Sequence, residues 1–144
     1  MYLTSSFINQ LGELGKPVII VKEKLSREER VKYDKGWQNN AFNNYASDMI
    51  SIHRSLADIR DPACKAVQWF SPLPSTSVIV IFHNEAWSVL LRTIHSVLDR
   101  SDASILKEVI VVDDFSDFAH LQEPLQEYID KLDKVKLVRV SIYF

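Results

Sequence analysis

Two apolar runs, Ser77-Val78-Ile79-Val80-Ile81-Phe82 and Val109-Ile110-Val111-Val112, constrain this chain more than any other feature. Both are dense in β-branched residues, whose stiff side chains suit a pleated sheet. Their near-continuous apolarity predicts strands covered on both faces. Between them Trp87, Leu90, Leu91, Ile94, Val97 and Leu98 recur at helical spacing up to Arg100, which predicts an amphipathic helix. Pro124 suits the first turn of another helix with Leu125, Tyr128, Ile129 and Leu132 on its inner face. Val135-Lys136-Leu137-Val138-Arg139-Val140 then reads as a third strand. Strand, helix, strand, helix, strand with short connections is a βαβαβ unit with parallel strands and right-handed crossovers. It is the Rossmann-like half of a doubly wound α/β sheet, and such a half leaves a strand edge open.

Upstream the pattern is weaker. Ser71-Pro72-Leu73-Pro74-Ser75 favours an extended connection and divides the chain into residues 1–74 and 75–144. Within the mostly helical or irregular first part, Pro17-Val18-Ile19-Ile20-Val21 suits a short extended segment. Ser26-Arg27-Glu28-Glu29 has capping-box spacing, with Ser26 as N-cap. Residues 41–54 place Phe42, Tyr45, Met49, Ile50 and His53 at spacings of three and four, which predicts a second helix. Neither helix carries an apolar face large enough to fold alone, so this lead-in is expected to pack as a collar on residues 75–144.

Composition excludes several functions. Seventeen Lys and Arg against nineteen Asp and Glu give a net charge of −2, which argues against nucleic acid as a partner. The glycines are Gly12, Gly15 and Gly36, so neither a Walker A loop nor a G-x-G-x-x-G fingerprint is present. No apolar run approaches the roughly 18–20 residues of a membrane span. The stretch Met1 to Gln10 shows no signal or anchor pattern, and on these grounds alone the expectation is the cytosol. No paired histidines at helical spacing and no cysteine pair support a self-contained zinc site.

Chemistry is expected where open parallel sheets bind ligands, beyond the carboxyl ends of the strands. His83-Asn84-Glu85 follows the first strand and Asp113-Asp114 the second, so the two clusters can converge. Paired carboxylates there can accept hydrogen bonds from a base or ribose, or help hold a divalent cation. The plainer alternatives are an aspartate capping a turn with Ser116 and a hydrogen-bonded strand-end His83. Asn84 is expected to N-cap the following helix.

Three blocks closely resemble the polypeptide N-acetylgalactosaminyltransferases. They are Leu73-Pro74-Ser75-Thr76-Ser77-Val78-Ile79-Val80-Ile81-Phe82-His83-Asn84-Glu85-Ala86-Trp87-Ser88, Leu90-Leu91-Arg92-Thr93-Ile94-His95-Ser96-Val97 and Lys107-Glu108-Val109-Ile110-Val111-Val112-Asp113-Asp114-Phe115-Ser116. Gly15-Lys16-Pro17-Val18, Ser47-Asp48-Met49-Ile50 and Arg54-Ser55-Leu56-Ala57-Asp58-Ile59-Arg60 are similar to the same family's lead-in, with Ala57 where proline is usual. The resemblance implies a partial GT-A fold, with residues 75–144 as its UDP-binding half. The implied reaction is retaining transfer of GalNAc from UDP-GalNAc to Ser/Thr of polypeptides, with Mn²⁺, in the Golgi lumen or membrane. It further implies that His83 and Asp114 contact the UDP nucleoside, supported by Asp113 and Glu85. Cys64 matches a family cysteine whose disulfide partner lies much later, which shifts the expected compartment to the secretory lumen. The family's D-x-H metal motif does not occur here; Asp117-Phe118-Ala119-His120 has one residue too many. The chain is therefore expected to bind nucleotide without transferring sugar by itself. The alternatives are a catalytically dead nucleotide-binding or regulatory isoform and another GT-A transferase.

Overall fold

The computed structural model describes residues 11–70 and 72–140, so the reading of Met1 to Gln10 lies outside the described residues. These fall into two compact units, one built from residues up to Ala57 with Ala86–Thr93, the other from Asp58–Glu85 with the residues from Ile94 onward.

In the first unit, helix α1 (Arg27–Asn40) starts at the expected capping box. The Ser26 hydroxyl accepts from the Glu29 amide at 3.3 Å, while the Glu29 carboxylate accepts from the Ser26 amide at 2.8 Å. Two of the orphan donors of the first turn are thereby satisfied. The helix expected over residues 41–54 is only α2 (Asn44–Asp48). Ala41 turns left-handed at φ 57° and closes α1, and the Asn43 side chain then accepts from the Ala46 amide at 3.0 Å to start α2. At the far end Arg92 supplies the donors that another helical turn would have supplied. Its guanidinium donates to the carbonyls of Ser47 (2.7 Å), Ile50 (3.1 Å) and Ser51 (3.3 Å), a cation closing a helix C-terminus. Residues 17–21 form no strand. Gly12 is required where it stands: at φ 75° it lies against Ile50, whose Cγ2 would sit 2.6 Å from an added Cβ.

The second unit holds a one-turn helix α3 (Pro62–Lys65), strand β1 (Thr76–Phe82), the later part of helix α4 (Trp87–Arg100), strand β2 (Leu106–Asp113), helix α5 (Glu123–Ile129) and strand β3 (Val135–Arg139). Among the described residues the sheet has order β1-β2-β3 and both pairings are parallel, as the βαβαβ reading requires. Register aligns Val80, Val111 and Leu137 across the three strands, and Phe82 with Asp113 and Arg139 one pleat further on. Val109, Val111, Ile94, Leu121, Leu125 and Ile129 are fully buried and form the core of this unit. Among the described residues no helix is long and apolar enough to cross a membrane.

The expectation that both faces of β1 are covered fails. Burial alternates along the strand, leaving Ile79 62% and Ile81 70% exposed, and Val138 of β3, two strands across on the same face, is exposed as well. A continuous apolar run is what a doubly covered strand needs, but among the described residues only one face receives its cover. At the start of the open face, Glu108 accepts from Lys136 at 2.7 Å and from the Ser77 hydroxyl at 3.0 Å.

Those two hydrogen bonds, the Lys136 bond foremost, hold the Glu108 carboxyl below its ordinary value. A lowered folded-state value favours folding above the unfolded value, and that contribution fades as pH falls through the folded one. Lys136→Ala should therefore move the Glu108 midpoint up toward the ordinary carboxylate range, read by side-chain ¹³C titration. An unchanged midpoint would remove Lys136 as the cause.

Candidate nucleoside site at the strand ends

The carboxyl ends of β1 and β2 are joined by a closed set of hydrogen bonds. The Asp114 amide donates to the Phe82 carbonyl at 2.8 Å, extending the ladder one residue past β2. His83 Nδ1 lies 2.7 Å from the Asp114 carbonyl oxygen. A backbone carbonyl only accepts, so Nδ1 carries the proton and donates. The two residues named for the nucleoside are thus bonded to one another, and both side chains stand exposed.

Asp113 faces the other way. It is 2% exposed and forms an ion pair with Arg139, its neighbour in register on β3. Its Oδ1 also accepts from the Ser116 amide at 2.9 Å, which is the aspartate-capped turn offered as the plainer alternative. Arg139 continues to the carbonyls of Leu121 (2.9 Å) and Gln122 (3.0 Å), and the Gln122 side chain donates to the Ser116 carbonyl at 2.8 Å. Asp113 therefore holds the loop after β2 from beneath, while Asp114 projects from it. Glu85 takes part through its carbonyl, 2.9 Å from His120 Nε2.

Asn84 does not cap α4, which begins at Trp87. It sits at φ 46° and turns to the opposite loop. Its amide donates to Ser116 Oγ at 2.9 Å, and its Oδ1 accepts from the amides of Asp117 (2.9 Å) and Phe118 (3.2 Å). Arg139 and Gln122 were the residues sequence reasoning missed as parts of this edge, and Asn84, placed there, was given the wrong role. For Asn84 the available signal was an asparagine two residues past a strand, a residue type that tolerates the left-handed conformation and bonds nearby backbone.

A divalent cation does not fit this set of donors. One carboxylate of the Asp pair is committed to an arginine and a backbone amide, and His83 offers Nδ1 as a donor. Of the pair, only Asp114 remains as a carboxylate ligand. Cys64, on α3, is an exposed free thiol.

The three-stranded parallel α/β sheet is the architecture of part of a GT-A glycosyltransferase domain. Residues 77–142 match the family model described as glycosyl transferase family 2. The chain is 58% identical over 133 residues to polypeptide N-acetylgalactosaminyltransferase 5 of Caenorhabditis elegans, covering 92% of this chain and 21% of that protein. It is 46% identical over 130 residues to human polypeptide N-acetylgalactosaminyltransferase 10, covering 90% and 20%. A crystal structure of GalNAc-T7 with UDP, GalNAc and Mn²⁺ superposes with a TM-score of 0.79 at 40% identity, over 90% of this chain and 23% of that one. The chain is similar to the polypeptide N-acetylgalactosaminyltransferases over nine-tenths of its length, and it spans about a fifth of the length of the curated relatives it matches.

Removing Arg139 leaves a buried carboxylate without its cation and frees two carbonyls. Arg139→Ala should cost about 3 kcal/mol in urea denaturation, the low end for a broken buried pair because Arg139 is itself one-third exposed. A loss below about 1 kcal/mol would mean that the pair behaves as a surface one.

Proposed function

We propose that residues 75–144 form the UDP-binding half of a retaining glycosyltransferase that transfers GalNAc from UDP-GalNAc to Ser/Thr of polypeptides, with residues 1–74 as its lead-in. The observation that carries this reading is the bonded pair of His83 and Asp114, exposed at the carboxyl edge of β1 and β2. A nucleoside presents N–H and O–H donors, for which the Asp114 carboxylate is the matching acceptor, and a flat base, for which the exposed imidazole is a neighbouring surface. Asp113 and Glu85 support the pocket from the loop bases. The crystal structure of the relative GalNAc-T7 holds UDP, GalNAc and Mn²⁺ together, which favours the same ligands for the whole enzyme of which this chain carries a part. Mn²⁺ would serve there by neutralising the diphosphate as it departs, with ligands other than the residues at this edge. The Golgi lumen is the compartment this reading implies, through the family resemblance.

Three outcomes are expected of the chain as it stands. UDP should raise its thermal midpoint, because a ligand of the native state adds about 2.7 kcal/mol at a hundredfold excess over Kd. Asp114→Asn should weaken that binding about tenfold or more by removing charge-assisted hydrogen bonds. A chain indifferent to UDP in both calorimetry and thermal melting would overturn the nucleoside assignment. In an assay with UDP-GalNAc, Mn²⁺ and a Ser/Thr peptide, the chain should give no glycopeptide by mass spectrometry, and transfer would show that the metal ligands are present after all.

A further inference from the structure

Asn84 does more at this edge than close a turn. Its two side-chain ends are distinguishable without ambiguity, because Oδ1 accepts from two backbone amides, those of Asp117 and Phe118, which only donate. The amide nitrogen is thereby fixed on the opposite side, where it lies 3.3 Å from His83 Nε2. His83 Nδ1 is a donor to the Asp114 carbonyl, so Nε2 of the neutral ring is an acceptor, and the Asn84 NH₂ is the donor that matches it. One side chain thus holds the ring of His83, just past β1, and the loop after β2 in a single arrangement.

We propose that Asn84 is the positioning residue of the nucleoside site, orienting the His83 ring with Nε2 as acceptor while pinning residues 116–118, so that His83 and Asp114 are presented together before ligand arrives. The inference rests on the nucleoside reading above only for its ligand arm. Preorganisation of this kind acts by removing the ordering cost that binding would otherwise meet. The backbone supports the assignment, since Asn84 occupies a left-handed conformation (φ 46°) that asparagine and aspartate tolerate and β-branched residues do not. The Asn84 main-chain amide, bonded to Ser116 Oγ, adds a second tie between the same two loops.

Two substitutions on the full chain separate the parts of this role. Asn84→Asp keeps an acceptor for the Asp117 and Phe118 amides and the same backbone preference, but it replaces the donor to His83 by a carboxylate. In ¹⁵N imidazole spectra the wild-type His83 should show Nδ1 protonated and Nε2 unprotonated. In Asn84→Asp, Nε2 should become a donor while hydrogen-exchange protection at Asp117 and Phe118 persists. Asn84→Gly relieves the backbone conformation and deletes the side chain, so it should release that protection without a conformational penalty of its own. Each variant should bind UDP about tenfold more weakly, the scale of one or two lost hydrogen bonds.

A wild-type His83 signature in Asn84→Asp, or unchanged protection at Asp117 and Phe118 in Asn84→Gly, overturns the positioning role. UDP affinity equal to wild type in both variants overturns it as well. If the wild-type chain itself ignores UDP, the nucleoside reading fails, and the two spectroscopic arms still decide the role of Asn84.

Discussion

The edge of this sheet depends on one buried charge. Asp113 lies at the end of β2 on the covered face, where an unpaired carboxylate would cost several kcal/mol of desolvation. Arg139 answers it from the next strand in register, and the pairing has consequences beyond neutralisation. The same guanidinium reaches the carbonyls at Leu121 and Gln122, and the same carboxylate holds the Ser116 amide. Three stretches that the sheet alone would leave independent are thereby tied together: the end of β3, the turn before α5 and the loop after β2. The loop that carries Asp114 is held from beneath by the occupied Asp113. A pair of adjacent aspartates is therefore divided by the strand pleat into one inward structural group and one outward group available to a ligand.

That division was only half legible from sequence. The strands and the helices between them could be read because their signals are local and strong, β-branched runs separated by an amphipathic stretch with a single buried stripe. Parallel order followed from connection length alone. The convergence of His83 with Asp114 was readable as topology, since both follow neighbouring strands. The partner of Asp113 was not, because Arg139 lies 26 residues away and looks in sequence like an ordinary strand-end cation. Asn84 was misread for a related reason. Its position two or three residues before a helix invites a capping role, whereas its side chain is used across the sheet edge by backbone amides more than 30 residues downstream. The short α2 has the same cause, since Arg92 from α4 supplies the terminating donors and no local residue announces it.

The glycine scarcity also takes on a physical meaning. Phosphate-cradling loops need glycine because backbone amides must approach the anion closely and at unusual dihedral angles. Here unusual dihedral angles do occur at the ligand edge, but side-chain-bearing residues adopt them: Asn84 at φ 46° and Phe115 at φ 60°. Left-handed backbone at a non-glycine residue costs on the order of 1–2 kcal/mol, less for asparagine, and it persists only where surrounding bonds over-determine it. Around Asn84 those bonds are its ties to Ser116, Asp117 and Phe118; around Phe115 they are the Asp113–Ser116 and Gln122–Ser116 contacts. Glycine at either position would relax the backbone and remove the side chain that the conformation serves to place.

Phe115 shows this most directly. Its ring is 65% exposed, so burial does not account for it, and the loop beneath it is held at both ends. Phe115 is thus an exposed aromatic on a loop whose backbone is held on both sides, adjacent in sequence to the projecting Asp114. The same edge offers a carboxylate acceptor and an imidazole beside it. On the nucleoside reading proposed above, this edge meets the nucleoside end of a nucleotide sugar and leaves the diphosphate to groups elsewhere. On that reading the nucleoside contacts are built from side chains at strand ends, where the sheet fixes their spacing, and no glycine-rich turn is required.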